Sequence, residues 1–338
     1  ELLSKLLSHR MLHQERQLSN TMLSSDGVKT NSGPFSRKQN HWINMLTTVI
    51  GAYPKPNYLK ITDWFNAKGG TDTANPTKLY NDEIRKMGND VDKIFKKAAE
   101  DVIKDQLDCG IDIITDGEIK RENYIHYHCR HLNGVDFNTL TEKVARTGNY
   151  KCWLPTITDK ISATEPFLVD EWKSNQSISS KPVKVTIPGP MTITDTIANC
   201  YYKSDDEMGY DLAIAINIEI KRLVQAGCKY IQVDEPLFAR KPENALNFGI
   251  SNLEKCFEGI NDSSIEKITH ICCGYPDKID AIDYPKAPLD SYNKIAKALD
   301  KSIIDSVSIE DAHRYNNLSL LSDYEQTKVI FGVIKIAS

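Results

Sequence analysis

Ile268-Thr269-His270-Ile271-Cys272-Cys273-Gly274 is a short β-branched run ending in glycine, the pattern of a buried strand that opens into a loop. Residues i and i+2 of a strand share a face, so His270 and Cys272 look one way and Cys273 the other. That face offers one nitrogen and one sulfur donor, a pairing that suits zinc. A second run, Ile303-Ile304-Asp305-Ser306-Val307-Ser308-Ile309-Glu310, ends in a carboxylate. If the two strands are neighbours, Glu310 supplies a third ligand. Alone, His-x-Cys is a weak signature, because a buried cysteine also serves as a small hydrophobe.

Outward from that run, strand and helix patterns alternate. Leu46 to Pro54 reads as a strand ending in a tight turn. Tyr80 to Leu107 carries apolar residues at helical period (Ile84, Met87, Val91, Ile94, Phe95, Ala98, Val102), and Gly110 closes it. Ile111 to Glu118 is the next strand, followed by Pro182 to Pro190, Tyr230 to Pro236, the His270 run, the Glu310 run and Val329 to Ile336. Helical segments at Tyr210 to Ala226, Ala245 to Ile260 and Tyr292 to Leu299 separate the later ones, and Asn149 to Ile161 suggests a hairpin. This alternation implies a parallel sheet, and seven repeats favour a TIM-type (β/α)8 barrel over an open doubly wound sheet. No Gly-x-Gly-x-x-Gly follows the first strand and no Gly-x-x-x-x-Gly-Lys is present, which weakens dinucleotide and ATP readings. The sequence stops at Ser338 just after a strand, so the expectation is a barrel over residues 45–338 lacking its last strand and helix. Residues 1–44 carry six Lys and Arg against three acids and no sustained apolar period, and are expected to be a disordered or non-domain extension.

With 338 residues, 40% hydrophobic and 26% charged, the chain can build one large core without two domains. A net charge of −4 argues against a nucleic-acid or anionic-membrane surface. No apolar run approaches the ~20 residues of a membrane span. The eight cysteines are scattered, without a Cys-x-x-Cys pair, which points to reduced thiols in a cytoplasmic enzyme.

In such barrels chemistry sits at the C-terminal ends of the strands. Those ends read Gly51-Ala52-Tyr53, Asp116-Gly117-Glu118, Gly189-Pro190-Met191-Thr192, Asp234-Glu235, His270-x-Cys272 and Glu310. Carboxylates there can be helix N-caps, and Asp116 before Gly117 fits a turn. Glu118 and Asp234 are better suited to a substrate amino group. His126-Tyr127-His128-Cys129-Arg130-His131 imitates a metal cluster on a loop, with packing or loop hydrogen bonds the commoner use of such residues. His313 and Arg314 are expected to cap the mouth or pair with a carboxylate.

In order along the chain, Thr47-Thr-Val-Ile-Gly-Ala-Tyr-Pro, Asp116-Gly-Glu, Gly189-Pro-Met-Thr, Ile231-Gln-Val-Asp-Glu-Pro, His270-x-Cys272 and Val307-Ser-Ile-Glu310 resemble the catalytic domain of cobalamin-independent methionine synthases. The likeness is greatest to the short, single-domain members and runs from about Met45 to the end. It implies a zinc enzyme that moves a methyl group from 5-methyltetrahydrofolate, as a polyglutamate, to the thiol of homocysteine, giving methionine. It implies His270, Cys272 and Glu310 as zinc ligands. Ile50, Gly51, Ala52, Glu118 and Asp234 become homocysteine contacts, Glu118 and Asp234 being the catalytic pair. Ala52 stands where the family has serine, so contacts there fall to backbone N–H groups. The family's second zinc cysteine lies in the final strand, beyond this sequence. Its folate segment is matched loosely around Lys151 and Cys152, which leaves a methyl-corrinoid protein as an alternative donor. Two other readings stay open: a metal-independent barrel like uroporphyrinogen decarboxylase, with Arg121 and Arg240 facing the substrate, and a truncated, non-catalytic barrel.

Overall fold

The computed structural model describes residues 45–63, 74–145, 150–274, 286–312 and 314–334. The segment 1–44 and His313 lie outside the described residues. From Thr48 onward the chain forms one α/β unit. In chain order its strands are β1 (Ile114–Thr115), β2 (Leu132–Ala145), β3 (Tyr150–Ala163), β4 (Val183–Pro188), β5 (Ala198–Asn199), β6 (Tyr230–Asp234), β7 (Glu266–Ile271), β8 (Ser306–Glu310) and β9 (Lys328–Gly332).

Strands β1, β4, β6, β7, β8 and β9 pair in that order, every ladder parallel. Thr48 extends the sheet beside β1 through a parallel bridge to Ile113. Helices cross between the strands: Val91–Asp108, Val169–Ser177, Asp205–Ala226, Ile250–Cys256 and Ser291–Asp300. Covered on both faces, β4 and β8 are buried along their whole length, as parallel strands require. The sheet is a half-barrel. Among the described residues no ladder joins β9 back to the Thr48 segment, so a closed eight-stranded cylinder is not seen.

The helix Asp205–Ala226 shows how the local sequence sets such an element. Ser204 accepts a hydrogen bond from the Glu207 N–H at 3.2 Å, and Asp205, Asp206 and Glu207 oppose the positive end of the helix dipole. Gly227, at φ 104, turns the chain left-handed at the other end, where a Cβ would be strained.

Four elements depart from the sequence reading. The long helix expected over 80–107 is two, Ala74–Met87 and Val91–Asp108, joined by a 3-10 turn at Gly88–Asp90. The strand expected over 111–118 shrinks to β1, because Asp116 Oδ1 accepts the Glu118 N–H at 3.0 Å and bends the chain. The hairpin is much longer than 149–161: β2 and β3 pair antiparallel, and β5 adds to β3 to make a separate three-stranded sheet. The His126 run is a helix, Tyr124–Cys129, not a loop. Asn123 caps it, its side chain accepting from the N–H groups of Ile125 and His126.

Candidate metal and substrate site

The ladders bring the ligand set together. Across β7 and β8, His270 faces Ser308 and Ile271 faces Ile309. One step further on each chain places Cys272 level with Glu310, on the face that carries His270 and Ser308. The donor atoms of His270, Cys272 and Glu310 lie within 4.8 Å of one another, and all three side chains are buried. That is a group that could hold a metal ion.

The surroundings of each donor are specific. His270 Nδ1 is 3.0 Å from Ser308 Oγ. Its Nε2 is buried and has no hydrogen-bond partner. Burial pulls the imidazole down to about 4, so the ring is neutral at physiological pH. The tautomer with its proton on Nδ1, donating to Ser308, leaves the Nε2 lone pair for a cation. Glu310 Oε2 accepts from the Cys273 N–H at 3.2 Å and from the Cys273 thiol at 2.9 Å. The Gly274 N–H donates to Cys272 Sγ at 3.2 Å. Burial, with Glu310 alongside, pushes the Cys272 thiol well above its ordinary value and Cys273 up to about 12. A thiolate at Cys272 therefore needs a cation beside it.

Cys273 is a correction. Strict alternation turned it away from the ligands, but β7 ends at Ile271. Beyond the strand the chain turns, and the Cys273 thiol meets the Glu310 carboxylate.

Beside this cluster lie the residues expected on the substrate side. Asp234 is the ladder partner of His270. Gln232 Nε2 donates to Asp234 Oδ1 at 2.7 Å and to the Ile50 carbonyl at 2.8 Å. Lys184, fully buried, donates to the Val49 carbonyl at 2.7 Å and to Gln232 Oε1 at 2.5 Å. Burial pushes the Asp234 carboxyl above the usual carboxylate range, with Glu118 adding to it, and pulls the Lys184 ammonium below its own. Glu118 sits at φ 55, a left-handed backbone that a side-chain-bearing residue adopts at a cost of about 1–3 kcal/mol. Gly51 packs directly on it: a Cβ there would come within 2.6 Å of Glu118 Oε1. Ile50, Gly51, Glu118 and Asp234 thus form one bonded or touching patch, with Ala52 exposed at its edge.

Other expectations divide. Lys151 and Cys152 lie on β3, in the separate sheet, with side chains outside the described residues. The histidines at 126, 128 and 131 are not a metal cluster: their Nδ1 atoms meet Thr77 Oγ1, the Tyr124 carbonyl and the Tyr127 carbonyl at 2.7, 2.7 and 2.9 Å. Arg314 donates to the carbonyls of Ala287 and Pro288 rather than to a carboxylate. Sequence reasoning missed Ser308 and Lys184, and named Glu235 at a strand end without giving it a role. Glu235 is fully buried and accepts from the N–H groups of Met191 and Thr192 and from the Thr192 hydroxyl, capping the N-terminal end of the helix Pro190–Thr196. Only its place after Asp234 at a strand end hinted at it.

Comparison with known sequences finds a match over residues 45–338 to the family described as the catalytic domain of cobalamin-independent synthases. The chain belongs to that family. Its members supply close relatives: a methionine synthase of Sulfolobus acidocaldarius is 33% identical over 279 residues, covering 79% of this chain and 75% of the relative. One from Sulfurisphaera tokodaii is 32% identical over 306 residues, covering 84% and 83%. Among solved structures, a B12-independent methionine synthase from a Shewanella species, in complex with selenomethionine, superposes with a TM-score of 0.74 at 30% identity, over 86% of this chain and 81% of that one. Membership of the cobalamin-independent synthase family makes the chain a methyltransferase. It displaces the decarboxylase and non-catalytic readings. Nor does it support a corrinoid donor.

Proposed function

We propose that the chain transfers a methyl group from a 5-methyltetrahydrofolate to the sulfur of homocysteine, giving methionine, with zinc held by His270, Cys272 and Glu310. The observation that carries this reading is the buried His270–Cys272–Glu310 group with Asp234 as the ladder partner of His270, and Glu118 near enough to Asp234 to act on its charge. The donor set fits zinc: one imidazole nitrogen, one sulfur and one carboxylate, with His270 Nε2 buried and unpartnered. Zinc bound there supplies a Lewis acid that favours the thiolate of homocysteine near neutral pH.

The chain's own residues do the rest. Glu118 and Asp234 bind the substrate ammonium and so fix the sulfur at one distance from the donor methyl. The absence of a side chain at Gly51 leaves that pocket open, and backbone N–H groups at Gly51 and Ala52 serve the substrate carboxylate. A sulfur–carbon bond forms as the carbon–N5 bond of the folate breaks, and N5 takes up a proton. The relative that carries selenomethionine holds an analogue of this product. We further infer a (β/α)8 barrel as the full domain, with residues 1–44 outside it, working in a reducing, cytoplasmic setting; the free cysteines support the latter.

The test is turnover. Purified protein, homocysteine and methyltetrahydrofolate triglutamate are expected to yield methionine by mass spectrometry, and a strong zinc chelator should abolish it. Methionine formation that survives complete removal of zinc would refute the metal assignment, and no methionine from zinc-loaded protein would refute the reaction.

A further inference from the structure

Arg121 has no role in the reaction as described above, yet it is placed with care. It is 3% exposed, deep behind the substrate-side carboxylate. Its Nη1 lies 3.3 Å from Glu118 Oε1 and donates to Thr186 Oγ1 at 2.9 Å. Thr186 Oγ1 donates in turn to the same Glu118 oxygen at 2.6 Å. Guanidinium, hydroxyl and carboxylate close a triangle. The Tyr127 ring backs the guanidinium, 5.9 Å from its carbon.

Two consequences follow. First, the triangle occupies Oε1 only. Among the described residues no hydrogen bond to Oε2 is seen, so that oxygen stays available to a ligand. Second, Glu118 and Asp234 are buried carboxylates close enough to interact, and the Arg121 guanidinium is the fixed cation behind Glu118. Guanidinium and hydroxyl together hold the Glu118 carboxylate in one position for an ammonium. The left-handed backbone at Glu118 is held by its own bonds, its N–H donating to Asp116 Oδ1 at 3.0 Å and its carbonyl accepting from the Arg121 N–H at 3.0 Å.

We propose that Arg121, through Thr186, is the positioning residue that makes the site selective for thiols bearing an α-amino group. The inference rests on the homocysteine reading given above and adds the residue that enforces its amino-acid specificity.

The experiment measures dissociation constants by calorimetry for homocysteine and for 4-mercaptobutanoate, which lacks only the amino group, on zinc-loaded protein. Arg121→Gln is expected to weaken homocysteine by about 10–100-fold, the scale of a lost charge-assisted contact, while 4-mercaptobutanoate shifts by less than about threefold. Arg121→Lys should regain part of the loss, since it restores the charge without the fork. Thr186→Val removes one hydroxyl and should give the same selective loss on a smaller scale, which keeps the test alive if Arg121→Gln does not fold. Equal weakening of both thiols, or no weakening of homocysteine, overturns the Arg121 assignment alone. A wild-type protein that binds the two thiols equally overturns it as well. Wild type that binds neither thiol overturns the homocysteine reading and this assignment together.

Discussion

The His270–Cys272–Glu310 group and the His126–His131 run both bury imidazoles near a cysteine, yet only the first converges its donors. The difference is the element that carries them. On a strand, i and i+2 share a face, so His270 and Cys272 aim together and the neighbouring strand adds Glu310. On the helix Tyr124–Cys129 the same spacing puts His126 and His128 about 200° apart, and they diverge. Each then satisfies itself locally. His126 bonds Thr77, His128 its own helix, and His131 stacks on Phe167 with centroids 4.2 Å apart. His128 Nε2 is buried and unpartnered like His270 Nε2, but no cysteine or carboxylate among the described residues joins it. An unpartnered nitrogen alone is therefore not a candidate metal site; convergence of donors is what makes one a candidate.

The comparison can be broken from its strong side first. Cys272→Ser removes the only sulfur of the group, so zinc content should fall from about one per chain to near zero, and turnover by about a thousandfold or more. Retained zinc in that variant, measured by elemental analysis, would dissolve the contrast. Ser308→Ala takes away the partner of His270 Nδ1 and should weaken zinc about 10–100-fold in chelator competition, with the fold intact by circular dichroism. An unchanged affinity would mean that the hydroxyl does not orient the ring.

On the other side, His126→Ala should cost about 1–3 kcal/mol in denaturant unfolding, through the bond lost to Thr77, and leave zinc content untouched. Loss of zinc there would place the second cluster in the metal site after all. The smallest effect is in pH. Burial holds His126 down to about 4, below the ~6.5 of the unfolded chain. Between those values the unfolded state binds the proton and the folded state does not. The stabilisation is thus complete above pH 6.5 and declines as pH falls toward 4. His126→Phe should flatten the decline between pH 7 and 5.5 by about 1 kcal/mol; a parallel curve would show that His126 is not buried neutral.

What was legible in the sequence follows the same division. The metal group could be read in part: a period of two aims His270 and Cys272 the same way, while Glu310 joined them only on the expectation of neighbouring strands and on the family resemblance. The carboxylates at Glu118 and Asp234 were legible for a related reason, as polar side chains at strand ends. Their supports were not: Arg121 meets Thr186 across 65 positions and Lys184 meets Val49 across 135, and nothing local marks such pairings. The hairpin strand β2 stayed hidden because register shifts after Asn133 and after Asp136 interrupt its alternation. The helix Tyr124–Cys129 was missed because a run of histidine, tyrosine and cysteine has no apolar stripe, and its one signal was the Asn123 cap.

X-ray absorption at the zinc edge of the purified protein asks most directly whether these donors converge on a metal. The account predicts about one zinc per chain, with sulfur at ~2.3 Å and nitrogen or oxygen at ~2.0–2.2 Å, the sulfur signal losing one scatterer in Cys272→Ser. A shell of nitrogen and oxygen alone, or a sulfur shell indifferent to Cys272, would contradict it.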